Sequence, residues 1–221
     1  MYRRLLVALL AGLTFLTAPL ARAVVHIDFQ FVSDPDPSGS ARILFDGTNQ
    51  TISFPDANDG FDFIIAAASD ASLIGLKGKI DGTFNASGIS SNSATLAGFG
   101  TFSITDLALN VLTATLAFDS IQRLGTSFVL NPDALPNLQK VTYGGTNAAL
   151  QNFRDGLGQS VTLSGAFNPG KSLVQLLNQG GVNTTTYAGA AVSEVPEPST
   201  LALMTCGILA LVGWSNLRRS T

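Results

Sequence analysis

Val25-His26-Ile27-Asp28-Phe29-Gln30-Phe31 alternates apolar and polar residues without a break. Successive side chains of a strand point to opposite faces, so Val25, Ile27, Phe29 and Phe31 share one face. A helix would scatter them. The same pattern recurs along the chain. Ala41-Arg42-Ile43-Leu44-Phe45 and Thr51-Ile52-Ser53-Phe54 flank Asp46-Gly47-Thr48-Asn49, a hairpin signal. Phe61–Ala66 reads as a further strand. Leu73–Ile80 reads as another that runs into a turn at Asp81-Gly82 before Thr83-Phe84. Ala94–Ile104 reads as one long alternating strand. In Asn110–Phe118, Leu112, Ala114, Leu116 and Phe118 oppose Val111, Thr113, Thr115 and Ala117. Val141-Thr142-Tyr143 and Ser160–Phe167 close the series.

Two segments carry helical spacing instead. Asn147–Gly156 has apolar residues at 149, 150, 153 and 157 and a terminal glycine. Ser172–Gly180 opens on an N-cap serine and ends at Gly180-Gly181. From Gly180 to Ser193 the residues are small and polar, and they read either as a last strand around Tyr187 or as a spacer. Asp34-Pro35-Asp36-Pro37-Ser38-Gly39 is a turn by composition. Many short strands with few helices predict a mainly β chain: one antiparallel β-sandwich or jelly-roll-like domain with one or two short helices. Parallel α/β architecture is excluded, because no helix recurs between the strands.

The two ends of the chain differ from this body. Met1-Tyr2-Arg3-Arg4 is basic, Leu5–Leu16 is apolar, and Ala21-Arg22-Ala23 places small residues at a cleavage site. This is the layout of a Sec signal peptide over residues 1–23, cut between Ala23 and Val24, with Ala21 and Ala23 as the cleavage determinants. At the other end, Val195-Pro196-Glu197-Pro198-Ser199-Thr200 precedes an uncharged apolar run over residues 201–217, and Arg218-Arg219 follows. Prolines fix φ and remove donors, so Pro196-Glu197-Pro198 is expected to be extended. As a helix the 17-residue run is about 26 Å long, close to the roughly 30 Å of a bilayer core. Trp214 sits near one end as an interfacial aromatic, and the arginine pair marks the cytoplasmic side.

This ordered tail resembles the PEP-CTERM sorting signal of Gram-negative bacteria, over residues 194–221. The resemblance rests on Pro196-Glu197-Pro198, the single C-terminal transmembrane helix and the terminal Arg218-Arg219. It implies that an exosortase, a membrane-embedded cysteine transpeptidase, reads the sorting-signal residues Pro196, Glu197 and Pro198 and cuts near them. It also implies an exported chain, transiently anchored in the inner membrane facing the periplasm and then at the cell surface or extracellular. Exopolysaccharide and biofilm association is what the family at large implies.

Residues 24–193 remain as a secreted β-rich domain. It contains seven basic residues against thirteen aspartates, a net charge of −6. That disfavours nucleic acid as a partner. The single cysteine, Cys206, lies in the apolar tail, so the domain holds together without disulfides. The densest polar cluster is Asp56-Ala57-Asn58-Asp59-Gly60-Phe61-Asp62. Asp56, Asn58, Asp59 and Asp62 could ligate Ca²⁺, which wants about 6–8 oxygens. Gly60 stands fifth and Ala67 twelfth, so this is not an EF-hand loop, and a solvated turn is the preferred reading.

No catalytic residues are assigned. Triads need a histidine within the fold, and the one histidine, His26, sits at an exposed strand position near the mature N-terminus. Zinc clusters of His and Cys are missing from the sequence. The domain has no tryptophan to stack a sugar, and nothing selects a carboxylate pair from thirteen aspartates. The expectation is a non-enzymatic, cofactor-free structural protein of the surface or matrix. The alternatives are an extracellular polysaccharide-binding module, with calcium as an optional ligand, and a matrix glycoside hydrolase.

Overall fold

The alternation at the start of the body builds strand β1, Val25–Ser33. Ile27, Phe29 and Phe31 are buried while His26, Asp28 and Gln30 face solvent, as a period of two requires. The computed structural model describes residues 25–34, 42–55, 60–167 and 171–195, all within one compact unit, Val25–Val195. The signal peptide expected over residues 1–23, the tail from Pro196 onward, and Asp56, Asn58 and Asp59 lie outside the described residues.

The chain then forms β2 (Ile43–Asp46), β3 (Thr51–Phe54), β4 (Phe63–Ala68), a 3₁₀ turn (Ala71–Leu73) and β5 (Lys77–Ser87). Next come β6 (Ser93–Ala97), β7 (Gly100–Thr105), β8 (Val111–Leu116), β9 (Ser120–Leu124), β10 (Ser127–Leu130) and β11 (Leu138–Thr142). Helix α1 (Ala148–Asp155), β12 (Leu157–Ala166), α2 (Leu173–Leu177), β13 (Val182–Thr185) and β14 (Ala188–Val195) complete it. Both expected helices are present. The Asn147 side chain caps α1 by accepting from Leu150 N, and Ser172 forms a capping box with Gln175 on α2.

The fold is mainly β, and every pairing among the described strands is antiparallel. Where the sequence suggested the two sheets of a sandwich, all fourteen strands join one hydrogen-bonded network. Its path β5-β4-β1-β14-β12-β10-β9-β6 returns to β5 through a β5–β6 pairing, so eight strands form a closed ring. Strands β3, β2 and β13 branch from one edge of β5, and β7, β8 and β11 branch from the other.

The branch point is built from glycine. β5 pairs with β4 and β7 up to Gly82 and with β3 and β6 from there on. Gly82 lies directly opposite Gly100, and a Cβ on Gly82 would stand 2.6 Å from the Gly100 Cα. The expected turn at Asp81-Gly82 is therefore an uninterrupted strand, bent where two backbones touch. The partner segment, expected as one strand over 94–104, breaks into β6 and β7 at Gly98-Phe99 for the same reason.

Other glycines make room for rings. Phe31 faces Gly189, Phe63 faces Gly78 and Phe128 faces Gly165 across neighbouring strands. In each case a Cβ on the glycine would fall 2.2 to 2.7 Å from the ring. The rings then pack together. Phe31 and Phe63 lie 4.3 Å apart, Phe63 stacks on Phe102 at 5.5 Å, and Phe153 of α1 meets Phe29 at 5.4 Å. A second group joins Phe45, Phe128 and Phe167, and a third joins Phe54, Phe84, Phe118 and Tyr187.

Candidate functional site

The tail leaves the body from an interior strand. β14 is hydrogen-bonded to β1 on one side and β12 on the other. Its last residues pair as Val25↔Val195 and His26↔Glu194, and Leu157 pairs with Glu194 from the other edge. Of the two readings of residues 180–193, the strand one holds: two strands lie there, on either side of Tyr187, and β14 runs on to Val195. The first residue of β1 stands beside the last residue of β14. The segment expected to be removed by signal peptidase and the segment carrying Pro196, Glu197 and Pro198 are thus attached at neighbouring strand ends. Ala21, Ala23 and the three sorting residues lie outside the described residues.

Of the four residues considered for calcium, Asp62 alone is described. It is buried, and its Oδ2 accepts from Ile80 N at 3.0 Å. Its backbone donates to Gly78 O at 2.8 Å and accepts from Asp34 N at 3.0 Å. Asp34 and Asp62 are therefore joined at one corner of the sheet. Asp34 is buried against Lys77, whose Nζ lies 2.6 Å from its carboxylate and 5.6 Å from the Phe61 ring centre. Among the described residues no three His, Cys, Asp or Glu side chains gather as a metal site.

Close to this corner, the Tyr187 hydroxyl is buried without a hydrogen-bond partner. Burial first, and the Asp62 charge second, push its phenol well above the ordinary range. Its backbone is fully used: Tyr187 N donates to Ser33 Oγ at 2.8 Å, and Ser33 Oγ donates to Tyr187 O at 2.8 Å.

A second polar group, not anticipated from the sequence, closes the β7–β8 turn. The Tyr143 hydroxyl donates to Asp106 Oδ2 at 2.5 Å and accepts from Asn147 N at 3.2 Å. Asp106 Oδ1 accepts from Ala108 N and Asn110 N, both at 2.8 Å. The Tyr143 hydroxyl, opposed by burial and helped by the Asn110 and Ala108 donors, holds the Asp106 carboxyl below its usual range. Burial and the same bond raise the Tyr143 phenol. Arg154 of α1 donates to Tyr143 O at 2.7 Å and pairs with Asp155 at 2.6 Å. Asp106 with Asn110 is a readable turn signature. Tyr143, 37 residues away, carried no local signal.

Every group in this cluster is bonded to its own chain, which makes it a brace. The Tyr187 hydroxyl differs from it in being buried without a partner. Among the described residues no helix is long and apolar enough to cross a membrane, and the run over 201–217 lies outside them.

Comparisons with curated proteins and with solved structures return no match. A family model described as the PEP-CTERM protein-sorting motif matches residues 194–219, beginning on the last two residues of β14. The chain therefore carries a PEP-CTERM protein-sorting motif over residues 194–219, and that motif implies a secreted chain processed by an exosortase.

Proposed function

We propose that the body is a non-catalytic structural protein of the cell surface or extracellular polysaccharide matrix. In this reading it reaches the periplasm by the Sec route, is held in the inner membrane by residues 201–217, and is freed or re-anchored when the exosortase acts at Pro196-Glu197-Pro198. The observation that carries the proposal is the position of the matched motif, which starts where β14 ends. A cut after Val195 removes the tail and leaves all fourteen strands intact. The closed ring also suits a matrix, since it leaves fewer open strand edges for uncontrolled pairing.

A second reading, a polysaccharide-binding module using Ca²⁺ at Asp56, Asn58, Asp59 and Asp62, is favoured by one observation. The Asp34 N to Asp62 O bond joins two buried aspartates, each next in sequence to an aspartate-rich stretch. Glycan-array binding by the processed protein, with and without EDTA, decides between them. The structural reading expects no EDTA-sensitive glycan signal. A signal abolished by EDTA overturns it in favour of the second.

A further inference from the structure

We infer that the β7–β8 turn, Leu107-Ala108-Leu109, is a bilayer-contact tip that rests in the lipid interface while the tail holds the chain at the membrane. The inference depends on the reading of residues 201–217 as a membrane span. Leu107 is 91% exposed and Leu109 80%, and Ala108 between them is exposed too. Single exposed leucines are ordinary on protein surfaces, but an uncharged Leu-Ala-Leu at one rigid tip is not. The tip is rigid because Asp106 binds the amides of Ala108 and Asn110 and is itself fixed by Tyr143. Leu109 has φ 65°, a conformation that glycine or asparagine would hold with less strain. Folding alone gives no reason for an outward leucine there.

The occupant follows from where the chain leaves the body. The tip is tied to the start of α1, through Tyr143 and Asn147 N. The end of β14 is tied to the end of α1, where Ser193 Oγ donates to Phe153 O at 3.2 Å. α1 has eight residues and is about 12 Å long, so tip and tail root lie at the two ends of one short helix. Five residues, 196–200, separate Val195 from the apolar run, and six extended steps reach at most about 20 Å. While the run is inserted, Val195 stays within that distance of the bilayer, and the tip, one short helix from Val195, can reach it. The charge of −6 over residues 24–193 opposes attachment to anionic headgroups. The contact is therefore apolar insertion, insensitive to salt.

The test uses the full chain carrying Cys206→Ser, with Leu107→Cys labelled by an environment-sensitive fluorophore, in phosphatidylethanolamine/phosphatidylglycerol vesicles. A matched chain carries the label at Thr126→Cys, an exposed turn beside Ser127, which pairs with Ala166 at the end of β12 remote from Leu157. The expected result is blue-shifted emission at position 107, quenched by nitroxide-bearing lipids and unchanged at high salt, with neither effect at position 126. A carbonate wash comes first. A chain that washes off shows that the tail does not span, and the inference falls with that reading. A retained chain whose position-107 label is not quenched overturns the inference alone. A blue shift that is lost on dilution, without lipid quenching, overturns it in favour of a second copy. A label at Ala108→Cys should lose its quenching when Leu107→Ser and Leu109→Ser are combined, with the chain still resistant to carbonate. Persistent quenching in that variant would also contradict it.

Discussion

The body, Val25–Val195, and the tail, residues 196–221, hold their information in different ways. In the body the decisive partners are far apart in sequence and buried: Phe31 meets Gly189, and Asp106 meets Tyr143. Their effect is cooperative, so changes there should alter stability and leave the sorting information untouched. In the tail the decisive residues are consecutive, Pro196-Glu197-Pro198, then the apolar run, then Arg218-Arg219. Changes there should alter where the chain goes and leave its melting unchanged. A body motif can be hidden by distance, whereas a tail motif is read in order by another molecule.

The comparison breaks first at the aromatic cluster if it breaks at all. Phe31→Ala removes a fully buried ring from contact with Phe63, Phe29 and Phe102. The expected loss is about 3–5 kcal/mol, read as a fall in urea midpoint with little change in slope. Gly189→Ala approaches the same place from the other strand. Its new methyl would stand 2.3 Å from the Phe31 ring, and the expected loss is about 1–3 kcal/mol. If either variant were as stable as the parent, the Phe–Gly pairs would be incidental.

The two buried tyrosines sharpen the comparison inside the body, because they should respond with opposite sign. Tyr143→Phe strips a charged acceptor, Asp106 Oδ2, of its hydroxyl donor and should cost about 1.5–3 kcal/mol. Tyr187→Phe removes a hydroxyl that has no partner and should be neutral or stabilising by up to about 1 kcal/mol. Thermal melts of the pair check both signs at once.

A smaller effect concerns acid. The Tyr143 hydroxyl, then Asn110 and Ala108, hold the Asp106 carboxyl down against burial. An unfolded aspartate titrates near about 3.9, so the unfolded chain takes up a proton that folded Asp106 resists. This contribution is present above about pH 4 and is lost as pH falls through the lower folded value. Asp46 and Asp70, lowered by Asn49 and by Ser72, act in the same direction. Asp106→Asn should therefore flatten part of the acid limb of a melting-temperature profile and leave the neutral region parallel to the parent. An unchanged acid limb would remove Asp106 from the account.

The difference between near and distant partners also explains what could be read beforehand. Alternation in Ile27–Phe31 and Leu112–Phe118 gave the buried faces correctly, and local capping residues located both helices. Gly82 reads as a turn and Gly78 as one more strand residue, because their use depends on Gly100 and Phe63, residues on other strands. The β9–β10 hairpin carries only a short local signal, Phe128 and Leu130 alternating after Gly125. Ring closure through β5–β6 depends on register, which no local pattern reveals. The burial of Tyr187 has no local signal, since nothing nearby in sequence indicates that β14 is interior. The tail was legible because its motif is contiguous, and the match over residues 194–219 confirms that reading.

The most direct test of the account changes Pro196, Glu197 and Pro198 to alanine together and follows the chain by fractionation blot in the native host. The account predicts that the variant body melts like the parent while the unprocessed, full-length chain accumulates in the membrane fraction. Processing and release at the parental rate would contradict it.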